Sequence, residues 1–134
     1  MGAARLDGVG REARRELKDK AAVYINSDST GKGWLSAGGS HGLQQLMNEV
    51  ARDVMDPRTG KPVLEQARSR QVSAAPDSER AAREKDATYW LSPLGSGSDY
   101  TPFLQHLTLA SINVGFGGES NGGIYHSMYD TVNW

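Results

Sequence analysis

Two short apolar runs stand out in a chain that is otherwise patterned like helices and loops. Residues 21–27 (AAVYINS) and 109–116 (LASINVGF) are rich in β-branched and aromatic side chains and lack a clean polar–apolar alternation. This pattern is typical of strands that are buried on both faces of a parallel sheet. Residues 89–93 form a third, weaker strand candidate.

The regions between these runs carry helical patterns. Residues 9–20 are charged and rich in good helix formers, which predicts a surface helix. Ser40 is a candidate N-cap for the clearest helix, which Pro57 ends. Its apolar positions fall on one stripe: Leu43, Leu46, Met47, Val50 and Val54. Pro62 opens a shorter helix over residues 63–70. A further helix is predicted to be capped by Asp99, with Pro102 in its first turn and Phe103, Leu104 and Leu107 on its buried side.

The remaining segments are predicted as connections. Residues 29–39 and 94–99 are glycine-rich loops, and residues 71–88 are a solvated connector with at most one helical turn. Helices that alternate with buried strands predict an α/β fold, here part of a mostly parallel sheet flanked by helices. Doubly wound sheets usually have about five or six strands. The sequence therefore predicts part of a larger sheet, truncated on its N-terminal side.

Composition narrows the function classes. The 134 residues fit one domain, and the formal net charge of −1 gives no electrostatic reason to expect nucleic acid or an anionic membrane as partner. The chain has no cysteine, which excludes disulfides and thiolate zinc sites. No run approaches the roughly 18 apolar residues of a membrane helix, and the polar, Arg-rich residues 1–20 do not resemble a secretory signal. The cellular compartment stays open.

Two side chains are candidates for metal binding by position. Asp28 follows the first predicted strand, and the loop that carries His126 follows the last one. Ligands of open α/β sheets collect at the carboxyl ends of strands, and a carboxylate and an imidazole both bind zinc. Taken alone, the pattern is weak, because an aspartate after a strand often only caps a helix or bonds to a loop. A serine hydrolase built from Ser96, His126 and Asp28 is disfavoured because no G-x-S-x-G motif is present.

Three motifs resemble one family. They are Tyr24-Ile25-Asn26-Ser27-Asp28-Ser29, Leu94-Gly95-Ser96-Gly97-Ser98-Asp99 and Tyr125-His126-Ser127-Met128-Tyr129-Asp130. In order and spacing they resemble the co-catalytic zinc peptidases of the glutamate carboxypeptidase II and transferrin receptor family. The resemblance covers residues 21–134, as the C-terminal portion of a catalytic domain, whereas residues 1–20 match poorly.

The resemblance implies roles for individual residues. Asp28 and His126 would each bind one of two zinc ions, and Tyr125 would donate a hydrogen bond to the tetrahedral intermediate. The loop Ser96-Gly97-Ser98 would line the substrate cleft, with Ser29 nearby and Gly97 allowing a close backbone approach. The implied parent enzyme is an exopeptidase, a carboxypeptidase or aminopeptidase, that hydrolyses peptides with a water activated by two zinc ions.

Departures from the family refine this expectation. The family's other zinc ligands and its glutamate base lie upstream of the first motif, where this chain has almost nothing. The chain alone is therefore expected to be inactive and to bind zinc weakly. Residues 111–116 contain no arginine, and Ser98 stands where the family has asparagine, which argues against polyacidic substrates. An open sheet edge predicts self-association, as a dimer, or pairing with the other half of the domain. The alternatives are a non-catalytic binding module of the transferrin receptor type and one chain of a split peptidase.

Overall fold

The computed structural model describes residues 3–28, 30–119 and 128. Within these residues, four α-helices and three strands form in the order α1, β1, β2, α2, α3, α4, β3. The helices are α1 (Ala3–Lys20), α2 (Gln44–Asp53), α3 (Val63–Ala74) and α4 (Asp77–Lys85); the strands are β1 (Val23–Asn26), β2 (Gly33–Gly39) and β3 (Ala110–Gly118). A 3₁₀ turn, His41–Leu43, leads into α2, and a π-helical turn, Pro102–His106, precedes β3.

The sheet has the strand order β1-β3-β2. The two apolar runs of the sequence pair in parallel, with Val23 opposite Ala110 and Asn26 opposite Asn113. β2 pairs antiparallel with the other edge of β3, from Gly33 opposite Gly118 to Gly39 opposite Ile112. The α/β class is confirmed. The mostly parallel sheet is confirmed only in part, because the described sheet is mixed.

β2 lies where the sequence predicted a loop over residues 29–39, and that prediction was wrong. The glycines and the serine of β2 have low strand propensity. The strand nevertheless buries its alternate positions, Gly33, Leu35, Ala37 and Gly39. Its ladder with β3 therefore depends on tertiary pairing that the local sequence does not indicate.

The core lies between the sheet and the helices α2 and α3. Ala51 and Ala67 are each about 1% exposed, so their small side chains permit close packing of the two helices. They join larger side chains from the sheet and helices: Leu35, Met47, Leu64, Tyr89, Leu91 and Ile112. The apolar stripe predicted for α2 is only half covered by the described residues, since Leu46 and Val50 are each about half exposed.

Several helix details differ from the predictions. α3 continues to Ala74, and α4 replaces most of the predicted solvated connector. Ser40 precedes the helical region, but its side chain makes no cap; its hydroxyl accepts a hydrogen bond from the Ser111 backbone N–H at 3.1 Å. The predicted helix after Asp99 is a short π-helical turn without a side-chain cap. None of the described helices is both long enough and apolar enough to cross a membrane.

The backbone of residues 89–91 is bound by amide side chains from two helices. Asn48 accepts from the Tyr89 N–H at 2.8 Å and donates to the Tyr89 carbonyl at 2.9 Å. Gln71 bonds in the same two-way manner to Trp90, at 3.0 and 2.6 Å. Gln44 accepts from the Leu91 N–H at 2.9 Å. These residues belong to the predicted weak strand 89–93, which makes one isolated bridge to β2, between Ser92 and Gly38. Side chains therefore supply the hydrogen bonds to the backbone of residues 89–91.

Candidate functional site

Asp28 lies at the centre of a cluster of neutral hydrogen-bond donors. Its Oδ1 accepts from the Ser98 hydroxyl at 2.6 Å and from the Asn26 amide at 2.9 Å. Its Oδ2 accepts from the Asn113 amide at 2.7 Å. The Asn26 amide also lies 3.1 Å from both Ser98 Oγ and Asn113 Oδ1. The carboxylate is thus held in one orientation although Asp28 is exposed.

These hydrogen bonds favour the ionised form of the Asp28 carboxyl. The Ser98 hydroxyl, followed by the Asn26 and Asn113 amides, lowers the pKa of the Asp28 carboxyl, because each donor favours the ionised form. No cation bonds to this carboxylate among the described residues. Oδ2 has a single donor and so retains capacity for another partner. The arrangement presents an uncompensated, oriented anion to the solvent.

The fold explains how these four side chains meet. Asn26 and Asp28 are two residues apart along an extended chain, which places them on the same side. The parallel register sets Asn113 beside Asn26. Ser98 arrives from the glycine loop after the amide-bound segment 89–91. A stacked pair beside this loop, Tyr24 with Phe103 at 3.9 Å between ring centroids, packs the π-helical turn against β1.

The predicted site residues fall into two groups. Asp28 and Ser98 are brought into contact, whereas Ser96 and Gly97 are exposed in the same loop and make no side-chain bond to Asp28. Gly97 has a φ of 104°, a left-handed conformation that explains a glycine there. Ser29, Tyr125 and His126 lie outside the described residues. Asn26 and Asn113 were missed as site residues; their positions in the two matching strands were the available signal.

Within the described ranges, no three His, Cys, Asp or Glu side chains come together as a metal site. Asp28 suits the role of one ligand, because it is ionised, oriented and accessible. The described residues alone do not complete a zinc site, which usually has three or four protein ligands.

A cavity of about 610 Å³ adjoins Asp28. Its walls come from β2, β3, α3 and the segment after Tyr89, and include Asn113, Trp34 and Arg70. This volume lies in the range of small-molecule sites, roughly 300–1,000 Å³. The candidate site therefore combines one ionised, oriented carboxylate, that of Asp28, with a cavity large enough for part of a peptide.

Comparison with known proteins agrees with the motifs. The chain is 33% identical over 121 residues to the probable glutamate carboxypeptidase VP8 of Zea mays, a match that covers 89% of this chain. It is 27% identical over 124 residues, 92% of this chain, to the probable glutamate carboxypeptidase LAMP1 of Arabidopsis thaliana. A probable glutamate carboxypeptidase of Arthroderma benhamiae is 50% identical over 44 residues, 31% of this chain and 6% of that protein.

This similarity supports a glutamate carboxypeptidase-like family. The matched regions span only 15% and 16% of the two plant proteins, so the chain corresponds to a small part of each. No family model matches the sequence. These relatives are named as carboxypeptidases, which are peptidase-type hydrolases.

Replacing Ser98 by alanine is expected to raise the pKa of the Asp28 carboxyl toward its ordinary value, because the first of its three donors is lost. A folded-state pKa below the unfolded value gives stability that is present above the unfolded pKa and lost as pH falls through the folded pKa. The variant should lose part of the stability that is present above the unfolded pKa, and the difference from the parent protein should vanish as the pH falls through the folded pKa. Carboxyl ¹³C NMR against pH measures the shift. Ser96→Ala, in the same loop, is the matched control; an equal pKa change in both variants would contradict this role for Ser98.

Proposed function

We propose that this chain supplies one part of the active site of a zinc-dependent, glutamate carboxypeptidase-like exopeptidase. The observation that carries the proposal is the Asp28 carboxylate, oriented by three neutral donors at the end of β1 and facing a peptide-sized cavity. Similarity to probable glutamate carboxypeptidases over most of the chain supports it.

In this proposal Asp28 and His126 would each hold one zinc ion, and Tyr125 would stabilise the oxyanion that develops during hydrolysis. Bound zinc would supply Lewis acidity that polarises the scissile carbonyl and lowers the pKa of a water molecule. Ser29, Ser96 and Gly97 would line the cleft.

The contribution of the described residues is positioning. Asn26 and Asn113 hold both oxygens of Asp28, as partners of metal ligands commonly do. Ser98 belongs to the cleft-lining loop and also donates to Asp28 Oδ1. This one hydrogen bond would join the substrate cleft to the metal ligand and would help to position a bound peptide relative to the metal.

We further propose that the chain is inactive alone and completes its site by association. Among the described residues, β1 pairs on one edge only, and Ile25 in that strand is 66% exposed. An unpaired strand edge readily accepts another strand. A second copy would cover the open strand edge, whereas completion of the site would need a chain that carries the remaining ligands and the glutamate base.

Zinc titration followed by ¹H–¹⁵N NMR tests the proposal. Weak zinc binding is expected to shift the resonances of Asp28, its three donors and His126. Asp28→Ala should abolish these shifts, and Ser98→Ala should weaken binding by about tenfold, the lower range for loss of a ligand's hydrogen-bond partner.

The control is Asp53→Asn, which removes an exposed carboxylate on α2 and should leave the zinc response unchanged. Zinc shifts that persist without Asp28, or that cluster elsewhere, would contradict the proposed metal role. Peptide hydrolysis by highly purified chain, abolished by His126→Ala, would overturn the proposed inactivity.

A further inference from the structure

The cavity beside Asp28 contains one positive charge. Of the described residues that line it, Arg70 is the only cation and Asp28 the only anion. Arg70 lies on α3, outside the strand where the sequence lacked arginines, and its side chain is exposed. The cavity can therefore attract an anionic group even though residues 111–116 carry no cation.

Packing holds the Arg70 guanidinium in place. Its central carbon lies 4.2 Å from the centroid of the Trp34 ring. Gly118 leaves room for this stack, because a Cβ at that position would lie 3.1 Å from the Trp34 ring and 3.8 Å from Arg70 Nη2. Stacking occupies a face of the guanidinium and leaves its N–H donors at the edge.

Within the described part of the chain, those donors make no hydrogen bond or ion pair, in contrast to Arg58, which bonds to Asp56 and to the Gly33 carbonyl. A planar, stacked guanidinium with unused donors has the geometry for bidentate binding of a carboxylate.

We infer that Arg70 binds a carboxylate of the peptide substrate. Along the substrate, this carboxylate lies several residues from the peptide bond that is hydrolysed at the metal site beside Asp28. The inference rests on the proposed peptidase function. Asp28 is bonded to Asn113, and Arg70 packs near Gly118, five residues further along β3. Five residues of extended strand span about 16 Å. An extended peptide of about five residues would cover the same distance.

The test uses the full chain and blocked alanine–serine pentapeptides as probes. One series carries a single glutamate at each position in turn, and a second carries glutamine instead. A third pair compares a free C-terminal carboxylate with its amide. Binding is followed by the Trp34 indole N–H resonance and by calorimetry, both independent of turnover. The glutamate and glutamine series together report recognition of a side-chain carboxylate. The acid and amide pair reports recognition of the C-terminal carboxylate.

Arg70→Gln is expected to weaken binding of the best acidic peptide by about tenfold, the effect of one charge-assisted contact, and to leave the glutamine series unchanged. Arg70→Lys keeps the positive charge but loses the planar pair of N–H donors of the guanidinium. Its affinity for the acidic peptide should therefore lie between those of the parent protein and Arg70→Gln. Arg52→Gln, on α2 and outside the cavity, is the matched control. Unchanged thermal unfolding of the Arg70 variants separates a binding role from a structural one.

Equal affinity for glutamate and glutamine peptides and for acid and amide ends, or equal losses in the Arg70→Gln and Arg52→Gln variants, would overturn the inference. Zinc binding measured on the same samples distinguishes failure of this inference from failure of the proposed function. Asp28-dependent zinc binding without an acidic preference refutes only the role of Arg70. Arg70-dependent acidic binding without any zinc response refutes only the metal role.

Discussion

Asn48→Ala is expected to lower the free energy of unfolding by about 2–4 kcal/mol and the Tm by about 10 °C. Asn48 is only 8% exposed, and its amide bonds both backbone groups of Tyr89 and the Gln44 carbonyl, at 2.8–2.9 Å. Alanine would leave the buried Tyr89 N–H without its partner, whereas the Tyr89 carbonyl would keep the Gln44 side-chain amide as a donor. An unsatisfied buried group costs about 1–3 kcal/mol. Chemical denaturation measures the change.

Gln45→Ala is the matched control, because this amide lies on the same helix but is exposed and bonds only to the exposed Glu49. It should change stability by less than about 0.5 kcal/mol. Because segment 89–91 leads to the loop that carries Ser98, Asn48→Ala should also perturb the resonances of Asp28. A stable Asn48→Ala protein with an unchanged Asp28 environment would contradict the role assigned to the amide.

Gly33→Ala should be at least as damaging, about 3 kcal/mol or more. Gly33 has a φ of 147°, and a Cβ there would lie 1.8 Å from the Gly117 carbonyl oxygen, a backbone atom that cannot rotate away. The first pairs of the β2–β3 ladder must separate to admit alanine. Arg58 donates to the Gly33 carbonyl at 2.8 Å, so that contact would be displaced too. Urea denaturation and amide exchange of residues 33–36 report the loss.

Gly31→Ala is the control for this substitution. Gly31 lies two residues earlier, and the nearest atom to an added Cβ would be the Phe116 carbonyl oxygen at 3.8 Å, an ordinary contact. It should be neutral within about 0.5 kcal/mol. Similar losses at both glycines would point to a general effect of reduced glycine content and not to the clash at Gly33.

The sequence predicted those parts of the fold that depend on local pattern. Residues 21–27 and 109–116 became β1 and β3 because concentrated β-branched side chains indicate buried strands directly. β2 was missed because glycine and serine have no such preference, and its pairing with β3 is decided by tertiary contact. α4 was missed because its charged residues resemble a solvated connector.

The candidate site was predictable to the extent that motifs carried it. Asp28 and Ser98 were both named from the sequence, and the structure places them 2.6 Å apart. Asn26 and Asn113 required the register of β1 against β3, which no local pattern contains. Arg70 was missed because its relevance arises from the stack on Trp34, between helix and strand. The roles of Tyr125 and His126 stay predictions.

The central place of β3 limits how this segment of the gene can change in length. Through Asn113 the strand fixes Asp28, and at Gly118 it supports the stack of Arg70 on Trp34. A one-residue insertion or deletion between these positions would reverse the facing of every side chain beyond it. The glycine that leaves room for the Trp34 ring would then no longer lie beside the stack.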